Sequence, residues 1–196
     1  MQGQRDSALT PRGREQARGT ADLLARLGVD RIFASPLGRV RQTLAIIHEQ
    51  LPLPVQFDDR LKEWSAGEWG GELYADVRLR WPDQWAAWQA DRLRYAPPGG
   101  ETFLDLISRA QAFFADAIPL VGPGERVALV AHGFLNRALA TVLLDRPTAE
   151  MLSISQDNDT LMRIVLEGGV AVPDYFENGE GPIAGLPMDA PRPSVA

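Results

Sequence analysis

Apolar positions in this chain recur at two spacings, one helical and one extended. Leu23, Leu24 and Leu27 supply an apolar face. Thr10-Pro11 precedes it as N-cap and first helical residue, and Gly28 follows as a stop. This pattern predicts a helix over 10–27. Arg31-Ile32-Phe33-Ala34 is a short apolar run closed by Ser35-Pro36, and reads as a buried parallel strand. A second helix over 37–50 ends at Leu51-Pro52-Leu53-Pro54, because proline cannot continue it. Val55-Gln56-Phe57 alternates as a second short strand.

From Arg60 to Tyr95 the chain changes character, and all five tryptophans fall there. Trp81, Trp85 and Trp88 lie at i, i+4 and i+7, one face of a helix. That face reads as core packing, with an apolar wall over a cleft as the alternative. Pro97-Pro98-Gly99-Gly100 is a turn. A helix over 102–118 carries Phe103, Leu106, Ile107, Ala110 and Phe114 on one side. Val127-Ala128-Leu129-Val130-Ala131 is the clearest buried strand, and it runs into His132-Gly133 and a helix to about 144. Leu161 to Leu166 is a last strand, expected to pair with 170–172 across Gly168-Gly169. Residues 173–196 hold five of the fifteen prolines without periodic apolar positions. The expected organisation is one domain over 1–172 and an extended or disordered tail over 173–196.

Strands alternating with helices predict an α/β fold with a mainly parallel sheet, in which ligands bind beyond the carboxyl ends of the strands. That rule gathers residues 35–39, 60–63 and 132–133 at one end of the sheet.

Composition narrows the partners. The chain has 196 residues, 45% apolar and 23% charged, with a net charge of -6 and a pI near 5.0. An acidic balance argues against a broad nucleic-acid or anionic-membrane surface. No cysteine is present, which excludes disulfides, thiolate catalysis and zinc-thiolate sites. No apolar run approaches the ~20 residues of a membrane span. Met1 to Asp6 has no apolar leader pattern, so the expected compartment is the cytoplasm.

Four positions carry candidate chemistry. His132 ends a strand and is followed by Gly133, whose amide sits at the positive end of a helix where an anion is favoured. A lone histidine is usually structural, but this strand-His-Gly-helix context favours function. His48, late in a helix beside Glu49, reads as solvent-facing or as a dipole cap. Arg39 stands one turn into a helix after Ser35-Pro36-Leu37-Gly38, where its planar fork suits phosphate oxygens; a surface ion pair is the plainer reading. Glu63 lies beside Trp64, a setting that can keep a carboxyl protonated as a general acid.

Taken together, five ordered motifs resemble the histidine phosphatase superfamily, in its phosphoglycerate-mutase-like branch, over residues 2–167. They are Gln2-Gly3-Gln4-Arg5-Asp6 through Thr10-Pro11-Arg12-Gly13, Ser35-Pro36-Leu37-Gly38-Arg39 through Gln42-Thr43, Arg60-Leu61-Lys62-Glu63 with Gly67-Glu68-Trp69-Gly70-Gly71, Pro98-Gly99-Gly100-Glu101-Thr102 with Asp105 and Arg109, and Val130-Ala131-His132-Gly133. The resemblance implies a three-layer α/β/α sandwich with a mostly parallel central sheet. It also implies a phosphomonoester phosphatase working through a phosphohistidine. By motif position, Glu63 is the acid that protonates the leaving alcohol and His132 is the second histidine of the site. Arg39 is a phosphate clamp, and Gly133, Gln2 and Gly3 complete the binding set. No cofactor and no metal are implied, and the acidic residues show no ligand-like cluster. The partner is a small phosphorylated metabolite, with sugar phosphates, phosphoglycerates and ribazole phosphate all compatible.

One motif of the family is absent. Its Arg-His-Gly-Glu segment, which carries the nucleophilic histidine at the end of the first central strand, has no counterpart here. The chain as it stands is therefore expected to lack the nucleophile, one phosphate arginine and the first central strand. Met1 is expected to be internal to a longer reading frame. A truncated inactive product and a non-catalytic phospholigand-binding pseudoenzyme are the alternatives, and a mutase-type phosphotransferase competes with the phosphatase for a full-length form. An exposed sheet edge beside 127–131 should result. The remaining phosphate donors would be Arg39, the Gly133 amide and a protonated His132.

Overall fold

Thr10 and Gly28 bound the first helix by local chemistry. The Thr10 hydroxyl accepts from the Gly13 amide, Pro11 opens α1 (Pro11–Leu27), and Gly28 closes it at φ 64°, ψ 47°. That left-handed conformation is one glycine adopts without strain. The computed structural model describes residues 1–189. After α1 come β1 (Arg31–Ala34), α2 (Gly38–Gln50), β2 (Val55–Phe57), α3 (Tyr74–Arg80) and α4 (Pro82–Ala90). Then follow α5 (Phe103–Ala117), β3 (Val127–Val130), α6 (Gly133–Leu143), β4 (Thr160–Glu167), β5 (Val170–Glu177) and β6 (Glu180–Ala184). Thr102 and Asp105 form a reciprocal capping box at the start of α5.

The first sheet has the order β2-β1-β3, all parallel, with Ile32 opposite both Val55 and Ala128. Alternation along β1 sends its side chains into two cores. Ile32 and Ala34 pack with Ala21 and Leu24 of α1 and with Val40, Leu44 and Ile47 of α2. Phe33 packs the other way, with Phe103, Leu106 and Phe113 of α5 and Leu135 and Leu139 of α6. Helices cover both faces, which gives the expected three-layer α/β/α arrangement. Leu129 packs on the Phe33 side, and Ala128 and Val130 on the other.

The tryptophan face belongs to the core. Trp88 is buried beside Trp64 and Trp69, with Trp85 and Trp88 ring centroids 5.1 Å apart and Trp69 and Trp88 6.0 Å apart. Trp81 and Trp85, half-buried, pack on the same cluster.

β3 pairs with β1 alone, and all four of its residues are half-buried, so its outer edge is open among the described residues. The second sheet, β4-β5-β6, is antiparallel. The hairpin expected across Gly168-Gly169 forms, but it is longer than its apolar pattern indicates, running from Glu167↔Val170 to Thr160↔Glu177. The expected tail boundary at 172/173 therefore falls inside β5. Residues 173–177 and 180–184 are strand and 178–179 are turn, because backbone pairing of β5 with β4 and β6 orders a stretch that has no helical or alternating pattern of its own. A bridge from Ile154 to Met188 ties the chain further on; residues 190–196 of the expected tail lie outside the described residues. Among the described residues no helix is long and apolar enough to cross a membrane.

Candidate active site

Side chains from the carboxyl ends of β1 and β3 and from the loop after β2 meet at one end of the parallel sheet. Ser35, directly after β1, is fully buried. Arg39 lies in the first turn of α2, held there by Asp6. The Asp6 carboxylate accepts the amides of Gly38 at 2.8 Å and Arg39 at 3.1 Å. Burial alone would raise the Asp6 pKa, but those two amides and the Arg39 charge outweigh it and hold the carboxyl below its ordinary value.

Arg39 is the hub. Its Nε donates to Nδ1 of His132 at 3.1 Å, Nη1 to the Arg5 carbonyl at 2.9 Å and Nη2 to the Gly3 carbonyl at 2.9 Å. A guanidinium has five N–H groups, so two are uncommitted to these partners.

His132, the residue before α6, is 6% exposed. Because Nδ1 accepts from Arg39, the ring proton belongs on Nε2, which lies 2.7 Å from Ser35 Oγ and donates to it. Burial, then the Arg39 and Arg109 charges, push the His132 pKa down to about 3, against a smaller opposing pull from Asp6. The protonated His132 expected from sequence is therefore replaced by a neutral one: a buried imidazolium beside a guanidinium would be both desolvated and repelled.

Glu63 faces the start of α6. Its Oε1 accepts from Trp64 N at 2.8 Å and Leu135 N at 3.3 Å, and Oε2 from Phe134 N at 3.3 Å. The free amides of that helix terminus are thus turned on a carboxylate within the chain. Burial nevertheless dominates. It raises the Glu63 pKa against those amides and the Arg39 charge. Gly133 fits beneath: a Cβ there would lie 3.9 Å from Glu63 Oε2.

Arg39, Glu63, His132 and Gly133 are therefore gathered as the sequence indicates. Gly3 joins through its carbonyl, and its φ of 57° places it 3.2 Å, as a hypothetical Cβ, from the Ala66 side chain. Gln2 does not join. Its exposed side-chain amide donates to Ser7 Oγ at 2.8 Å, because the turn here directs the side chain outward. His48 is exposed in the last turn of α2, away from this group.

Three contributors lack a role in the sequence reading, although each lies inside a quoted motif. Ser35 accepts a hydrogen bond from His132 Nε2, and Asp6 seats α2. The third is the Glu101–Arg109 pair. Arg109 forks Glu101 at 2.9 and 3.0 Å and donates to the carbonyls of Arg60, Lys62 and Glu63. Glu101 in turn accepts the Ser65 amide at 2.8 Å. This bidentate pair fixes the backbone that presents Glu63. Among the described residues, no three His, Asp or Glu side chains gather as cation ligands.

Comparison with known proteins gives matches over most of the chain. The profile described as "Histidine phosphatase superfamily (branch 1)" matches residues 1–178. A glucosyl-3-phosphoglycerate phosphatase of Mycobacterium tuberculosis (strain ATCC 25618 / H37Rv) is 36% identical over 156 residues, 76% of this chain and 70% of the relative. A 2,3-bisphosphoglycerate-dependent phosphoglycerate mutase of Methylobacterium sp. (strain 4-46) is 37% identical over 148 residues, 72% of this chain and 71% of the relative. The solved structure of the complex of mycobacterial glucosyl-3-phosphoglycerate phosphatase with inorganic phosphate superposes with a TM-score of 0.78 at 29% identity, covering 92% of this chain and 93% of that one.

Proposed function

This chain belongs to the histidine phosphatase superfamily, and on that premise we propose that its Arg39–His132–Glu63 cleft binds the phosphoryl group of a small phosphomonoester, in the manner of a phosphatase. The observation that carries this reading is the half-buried Glu63 carboxyl, set against the α6 terminus with its pKa raised, beside an arginine with two N–H groups outside its hydrogen bonds to protein. A protonated Glu63 would give its proton to the leaving alcohol oxygen as a nucleophile from outside these residues bonds to phosphorus and takes the phosphoryl group. Arg39 spreads positive charge onto the equatorial phosphoryl oxygens, and neutral His132 fixes the Arg39 fork. Phosphoryl transfer depends on such placement more than on protein covalent chemistry.

We further propose that this sequence alone does not turn substrate over, a reading the histidine geometry favours. A nucleophilic imidazole needs a free nitrogen lone pair. In His132, Nδ1 accepts from Arg39 and Nε2 carries the proton given to Ser35. His48, the other histidine, is exposed on α2. We propose that catalysis needs a histidine that these 196 residues do not contain. The open edge of β3 is where a further strand would pair.

Two measurements test this. Purified protein with p-nitrophenyl phosphate, metal-free between about pH 5 and 8, should match a buffer blank; turnover abolished by His132→Ala would refute the assignment. Phosphate or vanadate titration should change the tryptophan emission and saturate at millimolar anion, since Trp64 adjoins Glu63 and its ring lies 5.8 Å from that of Phe134. Arg39→Ala should abolish the change. No saturation by tens of millimolar, in folded protein, would reject the pocket. Reading the gene upstream of Met1 separates enzyme from pseudoenzyme: an in-frame strand ending in Arg-His-Gly supports the first, a stop codon the second.

A further inference from the structure

The N-terminal segment that holds Arg39 carries a guanidinium that no described residue neutralises. The Arg5 side chain is exposed and makes no hydrogen bond or ion pair with any described residue. Its backbone is nonetheless part of the site. The Arg5 carbonyl accepts from Arg39 Nη1, and the next residue, Asp6, holds the amides of Gly38 and Arg39.

The side chain also has a built seat. It runs across Gly70 and Gly71, where a Cβ on Gly71 would lie 2.9 Å from Arg5 Cδ and Nη1 and 3.2 Å from Cζ. One on Gly70 would lie 3.7 Å from Arg5 Nε. Gly71 donates its amide to the Met1 carbonyl at 2.7 Å, which fixes this glycine pair against the same N-terminal segment. Arg60, Arg109 and Arg163, by contrast, each fork a carboxylate. A cation that is seated but unpaired, on the same segment that holds Arg39, is available to a second charged group of a ligand bound at Arg39.

We propose that Arg5 is a specificity-determining residue: it reads a second anionic group, carboxylate or phosphate, on a phosphomonoester whose phosphoryl group sits at Arg39. The inference rests on the phosphate reading above. It restricts the ligand class to monoesters with a second acidic group. The competing cation is Arg137, whose Nε is buried without a partner and whose guanidinium lies 5.4 Å from the Phe134 ring centroid.

The test compares ligand pairs by tryptophan emission. 3-Phosphoglycerate against glycerol 3-phosphate isolates a carboxylate, and fructose 1,6-bisphosphate against fructose 6-phosphate isolates a second phosphate. One or both doubly anionic ligands should bind about three- to tenfold tighter than their partners, the range between an exposed ion pair and a charge-assisted hydrogen bond. The preference should shrink with added salt. Arg5→Gln should bring the ratio to about one while inorganic phosphate still saturates, and Arg5→Lys should restore part of it. No preference in the native protein, a preference that survives Arg5→Gln, or one lost in Arg137→Gln instead would overturn the role of Arg5 while leaving the phosphate site standing. If inorganic phosphate itself fails to saturate, the phosphate reading falls and this role falls with it.

Discussion

Nε of Arg39 donates to Nδ1 of His132 across 3.1 Å, so the histidine is held as a neutral acceptor by a neighbouring cation. Two residues from different strand ends thereby fix each other's chemistry. The arginine sets the tautomer, and the tautomer sends the remaining ring proton to Ser35.

This pair predicts a pH dependence. The folded His132 pKa, about 3, lies below the ordinary value of 6.5 that an unfolded chain restores. Below pH ~6.5 the unfolded state binds a proton that the folded state refuses. Stability contributed by His132 is therefore complete above that pH and falls progressively toward pH 3. Urea titrations at pH 7 and pH 4.5 should show the decline, and His132→Gln should flatten it. Ring NMR shifts of His132 that titrate near pH 6.5 in the folded protein would contradict the assignment.

Ser35→Ala removes the acceptor of the His132 Nε2 proton, in a site where both residues are buried. A buried donor left without a partner costs about 1–3 kcal/mol. Chemical denaturation should show that loss, with a lower midpoint and an unchanged slope.

Arg109→Met strands the Glu101 carboxylate and the carbonyls of Arg60 and Lys62. The pair is mostly but not fully buried, with side chains 20% and 23% exposed, so the loss should be about 2 kcal/mol, below that of a fully buried pair. Trp64, whose indole donates to the Glu101 carbonyl, should shift its emission to the red as its loop loosens.

Two glycines of the same loop pair should respond differently to alanine. A Cβ on Gly67 would lie 2.1 Å from the Pro98 carbonyl oxygen and 2.5 Å from the Gly100 amide nitrogen, backbone atoms that cannot yield without moving the turn. Gly67→Ala should cost more than about 3 kcal/mol or prevent folding. Gly99 also has positive φ, 66°, but open space around its Cβ position. Gly99→Ala should cost only the conformational strain, about 1–2 kcal/mol. Equal thermal shifts in the two variants would show that the close approach of residues 67 and 98–100 is wrong.

Local chemistry was legible along most of the chain. Thr10, Pro11 and Gly28 mark the ends of α1, and Thr102 with Asp105 marks the start of α5, because a cap is satisfied by residues three or four positions away. The buried strands β1 and β3 announce themselves as short unbroken apolar runs, and the rule for parallel sheets then places Arg39, Glu63 and His132 together before any coordinate is known. What no local pattern contains is who touches whom across the sequence. The protonation state of His132 depends on Arg39, 93 positions away, and on burial, so its expected charge reversed once the tertiary contacts existed. Arg109 and Glu101 read as helix and turn residues until their fork closes over the carbonyls that carry Glu63. The strands within 173–184 likewise arise from pairing, β5 with β4 and β6 with β5, and not from a pattern in their own residues. Residue identity sets which groups could act, whereas distance, burial and hydrogen-bond partners, which only the folded chain supplies, set the charge each group carries and the direction it faces.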